Sequence, residues 1–396
     1  MRFASRTSLP PNPIVGLSDK IASLPLKDLI PLQQGDLSMD TPREIMDAAW
    51  DALERGYTKY APAAGYPELR NAVAKKLRDY NQIDLDPETQ ILITQGSTEA
   101  LYLAVNALLD PGEEAIIPAP YYPPYDSLIK ASGATPRYVG ATEDEGWLPA
   151  PEAIEKAVNK RTRALLINTP NNPTGTVYPR KYLEDIGRTA VDHDLPILSD
   201  EAYEALVFDG AEHVSPMSIP SMRDNAIGLF SFSKTFAMTG WRLGYLCGPE
   251  EFIKRAGTIH NLVLAHVSSH IQIAGLRALQ GWDRFSAPIV RELDERRRTL
   301  VDELNTLDGM SCKLPQGTFY VFPDFRDAVP GLTSQELADR FLQAGVGSSP
   351  GTFFGSGGDG YQRLSYSKVG IPQIVEGVKR MKRVIAQYAS AGPLEN

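Results

Sequence analysis

The chain has 396 residues, of which 42% are hydrophobic and 22% charged, and this balance is typical of a globular protein with two domains. Forty lysines and arginines against 49 aspartates and glutamates give a net charge of −9, which excludes a surface with a net attraction for nucleic acid or anionic lipid. Two cysteines exclude a disulfide framework, and no apolar run approaches the roughly 20 residues of a membrane-spanning helix. The first residues run into Pro10 and Pro11 without the apolar stretch of a secretory signal, so we expect a cytoplasmic protein.

Short apolar segments alternate with helical patterns between about residues 90 and 250. The predicted strands are 91–94, 115–117, 164–168, 195–198, 226–232 and 242–247. Apolar strands separated by helices predict an α/β fold with a mostly parallel central sheet flanked by helices. Ligands of such sheets bind at the carboxyl ends of the strands.

From about residue 285 the pattern becomes that of a smaller α+β domain. The predicted elements there are a charged helix at 290–300, strands near 317–322 and 362–367, and a last helix at 372–388. We expect Arg296, Arg297 and Arg298 to form a solvated helix face. The predicted division of the chain is an N-terminal arm with part of the small domain (1–45), a large domain (46–285) and a C-terminal small domain (286–396).

Polar residues stand where three of these strands end. Residues 96–98, Gly-Ser-Thr, lie between a strand and a helix N-terminus, where free N–H groups favour a phosphate. Asp200 ends an apolar strand and therefore needs a cationic or hydrogen-bonding partner. Lys234 lies among serines, aromatic residues and Arg242, a dry and cationic setting in which a lysine can act as an amine nucleophile. The neighbouring serines and Arg242 suit a phosphate dianion.

In chain order, these segments resemble the class I/II aminotransferase family, whose members are fold-type I pyridoxal-5′-phosphate (PLP) enzymes. The motifs that carry the resemblance are Thr58-Lys-Tyr-Ala-Pro62, Pro67-Glu-Leu-Arg70, Gly96-Ser-Thr98, Pro111-Gly-Glu-Glu114, Asn168-Thr-Pro-Asn-Asn-Pro-Thr-Gly175, Asp200-Glu-Ala-Tyr203, Ser231 to Tyr245 and Arg363-Leu-Ser-Tyr366. Because they span nearly the whole chain in the family's order, the resemblance implies the fold-type I architecture and a PLP-dependent aminotransferase.

The resemblance also implies the roles of the central residues. Lys234 would form the internal aldimine with the cofactor and, once freed by substrate, move the Cα proton as general acid and base. Asp200 would pair with the pyridine nitrogen and keep the ring an electron sink. Tyr203 and Asn172 would bind the ring hydroxyl, and Tyr122 would stack on the ring face.

Further residues would bind the phosphate and the substrate. The phosphate contacts implied by the resemblance are Gly96, Ser97, Thr98, Ser231, Ser233 and Arg242. Tyr60 would reach the phosphate of the other subunit, which implies a homodimer with shared active sites. Arg363 would bind the substrate α-carboxylate, and Gly35, Tyr122 and Asn172 would line the substrate. An amino acid and a 2-oxo acid would be the substrates, and no metal site is expected.

Three segments depart from the family's usual pattern. Gly35 is followed by Asp-Leu-Ser-Met where the family usually has x-Pro-Asp-Phe. Thr98 stands where some bacterial aspartate aminotransferases have a lysine for the distal carboxylate, which leaves aspartate specificity open. His266 and His270 are predicted to share one helical face that packs or walls the substrate pocket. The run 355–360 fits the G-x-G-x-x-G pattern, but no helix is expected after it, so we interpret it as a flexible surface loop.

Two other functions remain open at this point. The same cofactor apparatus could serve a lyase, a synthase or an oxygen-using oxidase or hydroxylase, since all share their first chemical steps. A more remote alternative is a non-catalytic ligand-sensing domain, although such regulators carry an N-terminal DNA-binding domain and the acidic charge of this chain argues against one.

Overall fold

The computed structural model describes residues 1–24 and 28–391. Its helices are α1 (Pro13–Ala22), α2 (Arg43–Glu54), α3 (Pro67–Asn81), α4 (Ser97–Leu108), α5 (Pro124–Ala131), α6 (Pro151–Ala157), α7 (Arg180–Asp192), α8 (Phe232–Thr235), α9 (Glu250–Val263), α10 (Ser269–Gln280), α11 (Trp282–Leu304), α12 (Ser334–Gln343) and α13 (Ile371–Ala391). Its strands are β1 (Ile30–Pro31), β2 (Ile91–Thr94), β3 (Glu114–Ala119), β4 (Thr135–Gly140), β5 (Thr162–Asn168), β6 (Ile197–Asp200), β7 (Ala226–Ser231), β8 (Gly244–Cys247), β9 (Tyr320–Val321), β10 (Val346–Gly347), β11 (Ser349–Pro350) and β12 (Gln362–Ser365). The elements predicted from the apolar patterns are all present, most with ends that differ by a few residues.

The central sheet has seven strands in the order β2-β8-β7-β6-β5-β3-β4. Only β8 runs antiparallel to its two neighbours, so the prediction of a mostly parallel sheet is confirmed. Strands β2, β6, β7 and β8 are buried along their whole length because helices cover the sheet, which explains why they read as unbroken apolar runs.

The register of the sheet decides where the functional side chains lie. Asn168 pairs with Asp200 across β5 and β6, and Ser231 pairs with Gly244 across β7 and β8. The carboxyl ends of β5, β6 and β7 therefore meet at one edge, and their terminal polar residues are brought together there.

A smaller unit packs beside this edge. We call it the small unit: β1 and β9–β12 with α12 and α13. Strand β1 pairs parallel to β10, while β12 pairs antiparallel to β11 and β9. The N-terminal arm thus joins its sheets, although the predicted domain boundaries themselves stay a prediction. Buried residues of β9, β12, α11, α12 and α13 form one apolar cluster. Phe285, near the start of α11, belongs to a second cluster with residues of β2, β7 and β8, so α11 connects the first cluster to the central sheet.

The predicted solvated face of α11 is wrong for two of its three arginines. Arg297 is fully buried and pairs with Asp294 and Asp209 at 2.5 and 2.8 Å. Arg296 is also buried, and only Arg298 is exposed. The sequence pattern could not reveal the burial of Arg297. Asp209, the ion-pair partner that reduces the cost of this burial, is distant in sequence.

The glycine run 355–360 lies between β11 and β12 and forms short 3-10 turns. A strand follows it and no helix, so its geometry does not match a dinucleotide site, in agreement with the sequence prediction. Within residues 1–24 and 28–391, no helix is long and apolar enough to cross a membrane.

Candidate active site

A cavity of about 220 Å³ opens at the carboxyl ends of β5, β6 and β7, against the small unit. Twelve of the fourteen residues predicted for the site line it: Gly35, Ser97, Thr98, Tyr122, Asn172, Asp200, Tyr203, Ser231, Ser233, Lys234, Arg242 and Arg363. Gly96 lies directly behind Arg242, and only Tyr60 lies away from the cavity. Residues from seven separate segments of the chain therefore meet in one place.

Lys234 projects from the single turn of α8 into this cavity. Strand β7 ends at Ser231, whose hydroxyl accepts a hydrogen bond from the N–H of Ser233 and so begins the turn. The Lys234 Nζ donates to the Gly35 carbonyl at 2.8 Å. Burial lowers the pKa of Lys234 to about 8, with Arg242 and Arg363 acting in the same direction and Asp36 opposing them. An amine with this pKa is available as a nucleophile and base near neutral pH.

Asp200 faces the same cavity from the end of β6. Its Oδ2 accepts a hydrogen bond from the Tyr125 hydroxyl at 2.7 Å, and its Oδ1 accepts the N–H of Ala202 at 3.1 Å. Burial raises the pKa of Asp200 to about 6, although these two hydrogen bonds lower it. A buried carboxylate with neutral partners alone is suited to a cationic ligand group.

Three polar elements converge at the other end of the cavity and form what we call the anion cradle. The first turn of α4 presents free N–H groups at Ser97, and Ser231 and Ser233 add hydroxyls. Arg242 has a φ of 54°, and its guanidinium donates to the Thr239 carbonyl at 2.8 Å. A Cβ on Gly96 would stand 2.5 Å from Arg242 Nη2, so the glycine makes room for this arginine.

Arg363 enters the cavity from β12 and is almost fully buried. Its hydrogen bonds go to three neutral oxygens, those of Asn172 (3.1 Å), Gln33 (2.9 Å) and Ser349 (3.3 Å). Its Nε has no partner among the described residues. The ring of Tyr320 packs 4.3 Å from the guanidinium. A buried cation with an unused donor is a binding site for an anionic group such as a carboxylate.

Comparison with known proteins identifies the family. The sequence profile described as aminotransferase class I and II matches residues 27–380. The chain is 38% identical to the aspartate/prephenate aminotransferase of Thermus thermophilus, over 98% of this chain and all of that protein. It is 40% identical to aromatic-amino-acid aminotransferase 2 of Thermococcus litoralis, over 91% of this chain and 93% of that one. The solved structure of the Thermus thermophilus aspartate aminotransferase with maleate superposes with a TM-score of 0.91 at 37% identity, covering 97% and 100% of the two chains.

The chain belongs to the class I and II aminotransferase family. It is an aminotransferase, an enzyme that moves the amino group of an α-amino acid to a 2-oxo acid. Aminotransferases of this class are PLP enzymes. The comparisons thus favour transamination over the other PLP reactions and over a non-catalytic sensor.

Several residues that line or support the aminotransferase site were missed from the sequence. Tyr320 donates or accepts a hydrogen bond with Tyr203 at 3.2 Å, and Tyr125 holds Asp200. Asn168 accepts the N–H of Asn172 and donates to the Asp200 carbonyl, which fixes the turn after β5. Asn168 was detectable, because like Asp200 it is a polar residue ending an apolar strand. The other two required knowledge of which loops meet.

Tyr60 lies on the outer surface of this aminotransferase chain, next to the half-buried His266. Tyr60 is 91% exposed and packs edge-on against His266 at 5.5 Å between ring centroids. The predicted shared helical face of His266 and His270 is wrong, since α9 ends at Val263 and α10 begins at Ser269, so that His266 lies in the connection.

A cluster of possible metal ligands lies outside the cavity, directly after Asp200. Ligand atoms of Glu201, Glu204 and His213 are within 4.8 Å of one another. Lys76 pairs with Glu204, and His213 pairs with Glu201 at 2.8 Å. Because both carboxylates already have partners within the chain, these contacts describe a buried network of an ion pair and hydrogen bonds. The expected lack of a metal stays a prediction.

Proposed function

We propose that this aminotransferase binds PLP in the cavity described above, with Lys234 as its covalent attachment point, and uses Arg363 to bind the α-carboxylate of the substrate. One observation carries the proposal. The low-pKa amine of Lys234 lies in a cavity that also holds the Asp200 carboxylate, the anion cradle and a second buried arginine. A phosphorylated, cationic ring and a carboxylate-bearing substrate match these groups in charge.

The cavity residues fit the cofactor group by group. The anion cradle suits the phosphate, since the hydrogen bond of Arg242 in the described chain goes to a carbonyl and leaves its charge uncompensated by a carboxylate. Asp200 suits the ring nitrogen, and the hydroxyl of Tyr203 and the amide of Asn172 suit the ring hydroxyl. The Tyr122 ring suits the face of the cofactor. When bound, PLP supplies an electron sink for the charge left by loss of the substrate Cα proton.

Lys234 then has two tasks in this proposal. Its neutral amine would hold the cofactor covalently, and once substrate is bound, the same amine would take and return the proton at the substrate Cα. The Gly35 carbonyl orients this amine by accepting a hydrogen bond from it. Burial beside two arginines keeps the amine deprotonated often enough to act as a base near neutral pH.

The substrate class follows from the cations of the cavity. Among the described lining residues these are Lys234, Arg242 and Arg363, and each already has a task. A side-chain carboxylate would therefore lack a cation of this chain, because Thr98 is neutral. The relatives are named for aspartate, prephenate and aromatic amino acids. We therefore propose aromatic and other uncharged amino acids ahead of aspartate as donors.

A homodimer completes the proposal. Tyr60, Leu262 and Val263 are 91%, 83% and 57% exposed, and large apolar side chains at such exposure mark an interaction surface. A second copy covering them would bring Tyr60 near the partner's cavity, as the family resemblance implies. Sedimentation should give twice the chain mass of 43.5 kDa, and a stable monomer with full activity would contradict this part. The cytoplasmic location stays a prediction.

The deciding experiment is an absorbance spectrum of the purified protein loaded with PLP, repeated after addition of single amino acids in air and under argon. We expect the visible band of the lysine-bound cofactor to disappear without oxygen and to return when a 2-oxo acid is added. Release of ammonia or a requirement for oxygen would instead assign one of the other PLP reactions.

A further inference from the structure

The segment after β1 is held by the small unit and reaches the catalytic lysine. The N–H of Ser365 donates to the Leu32 carbonyl, and the N–H of Ser38 donates to the Ser367 carbonyl at 2.9 Å. Arg296 of α11 donates to the Ser367 carbonyl at 3.0 Å. Residues 32–38, which we call the arm segment, are thereby fixed at both ends to β12 and the chain that follows it. This segment includes part of the stretch that departs from the family pattern.

Within the arm segment, the Asp36 carboxylate makes contacts in two directions. Its Oδ2 accepts a hydrogen bond from the Lys368 ammonium group at 2.9 Å, and Lys368 belongs to the chain after β12. Its Oδ1 accepts the Thr239 hydroxyl at 2.7 Å. Thr239 begins the 3-10 turn that leads to Arg242, and the Thr239 carbonyl accepts a hydrogen bond from the Arg242 guanidinium. One carboxylate therefore bridges the small unit and the turn that presents a cradle arginine.

The neighbouring Gly35 cannot move independently of this bridge. A Cβ on Gly35 would stand 2.1 Å from the Tyr320 hydroxyl, so the backbone lies in close contact with β9. The Gly35 carbonyl accepts a hydrogen bond from the Lys234 amine at 2.8 Å. Any displacement of Asp36 would thus alter the acceptor that orients Lys234.

We propose that Asp36 is a positioning residue, whose carboxylate joins the arm segment to the turn before Arg242 and thereby holds the Gly35 carbonyl and a negative charge beside the amine of Lys234. The proposal rests on the proposed function, since it concerns the same lysine. It assigns a role to a position where the family pattern is variable.

The charges around Lys234 support this role. Arg242 and Arg363 act on Lys234 to lower its pKa, and Asp36 acts to raise it. Asp36 itself is half-buried, which opposes ionisation, but hydrogen bonds from Lys368 and Thr239 lower its pKa below the ordinary value. Asp200, which lines the cavity, would be paired with the cofactor ring. Asp36 is therefore the carboxylate that counters the two arginines, and removing its charge favours the neutral form of the Lys234 nitrogen.

The test uses the PLP-loaded enzyme and the variants Asp36→Asn, Asp36→Glu and Asp40→Asn. We expect the pH titration of the visible band of the lysine-bound cofactor to move to lower pH in Asp36→Asn, because a negative charge is lost. Asp40 is exposed and four residues further along the chain, so Asp40→Asn should titrate like the unchanged enzyme. Asp36→Glu keeps the charge and should restore the titration. A titration of Asp36→Asn that matches Asp40→Asn overturns the proposal.

A second variant separates the bridge from the charge. Thr239→Val removes the hydrogen bond and keeps the carboxylate, so the titration should stay while the KM for the amino acid rises about tenfold, the effect of one lost hydrogen bond to a charged group. An unchanged KM overturns the bridging role. If the unchanged enzyme shows no visible band with PLP, the proposed function itself has failed, and the two failures are thus distinguishable.

Discussion

The cavity has two walls that are built by different means. The strand wall consists of Asp200, Ser231, Ser233 and Lys234, which lie at or just after the ends of β6 and β7 and are fixed by the backbone hydrogen bonds of a seven-stranded sheet. The loop wall consists of Gly35, Tyr320 and Arg363 from the arm segment and the small unit. A two-stranded and a three-stranded sheet of short strands hold it, together with side-chain hydrogen bonds such as those of Asp36.

This difference matches the proposed roles of the two walls, in which the strand wall binds the cofactor and the loop wall binds the substrate. A cofactor that stays bound through every turnover gains from a wall that cannot shift, because preorganised groups need no rearrangement during the reaction. Substrates must enter and leave, and the Arg363 guanidinium that would bind them is attached to a wall held by individually weak bonds. Changes in the strand wall should therefore affect the chemistry, and changes in the loop wall should affect substrate binding.

The largest effect is expected for Lys234→Ala, at the centre of the strand wall. Loss of the amine removes the nucleophile and the base together, and general base catalysis alone contributes about 10²–10⁴-fold. We expect kcat to fall by at least this factor and the visible cofactor band to be lost. Lys75→Ala is the control, because Lys75 is exposed and pairs with Asp79 on the surface of α3. Normal turnover by Lys234→Ala would remove the lysine from the mechanism.

Arg363→Ala tests the loop wall and should act on KM rather than on kcat. A hydrogen bond to a charged group contributes about 1.5–3 kcal/mol, so the KM for every amino acid should rise roughly 10- to 100-fold. Arg363→Lys should recover only part of this, since an ammonium group cannot bind both carboxylate oxygens in parallel. Arg326→Ala is the control, because Arg326 also packs on a tyrosine ring but is largely exposed. The same KM in Arg363→Ala and Arg326→Ala would place the substrate carboxylate elsewhere.

The two walls also differ in how much the sequence could predict. Asp200 and Lys234 stood out because polar residues directly follow apolar strands, and parallel strands bring their carboxyl ends to one edge. No local pattern marks Arg363 or Gly35, which were assigned through family resemblance. Tyr320 escaped notice because its partner, Tyr203, is 117 residues away.

The two wrong predictions have different physical origins. The burial of Arg297 depends on Asp209, 88 residues away, which no helical period can reveal. The helix expected to carry His266 and His270 is interrupted at Leu264–Ser268, where Ala265 takes a positive φ of 67°. Periodicity reports one face of a continuous helix, and it fails where long-range pairs or local breaks decide the structure.

A moderate effect on the anion cradle is expected from Gly96→Ala. The new Cβ would meet the Arg242 guanidinium at 2.5 Å, and we expect cofactor affinity to fall about tenfold, equivalent to the loss of one charged hydrogen bond. Gly112→Ala is a matched control, since Gly112 also has a positive φ (88° against 77°) but nothing lies within 4 Å of its Cβ. Both changes cost similar backbone strain, so equal affinities in the two variants would show that the cradle does not need this space.

The smallest effect is a pH dependence of cofactor binding that originates at Asp200. With its pKa raised to about 6 by burial, Asp200 is protonated below that pH in the cofactor-free protein and must release a proton before it can pair with a cationic ring. The contribution of Asp200 to the dissociation constant of PLP should therefore grow as the pH falls below 6, by up to about tenfold per unit. The phosphate and Lys234 also titrate in or near this range, so the measurement needs Asp200→Asn, which keeps both of those contributions and lacks that of Asp200. The slope should be steeper in the unchanged enzyme than in Asp200→Asn. Equal slopes would mean that Asp200 is already ionised in the free protein and that its hydrogen bonds from Tyr125 and Ala202 outweigh its burial.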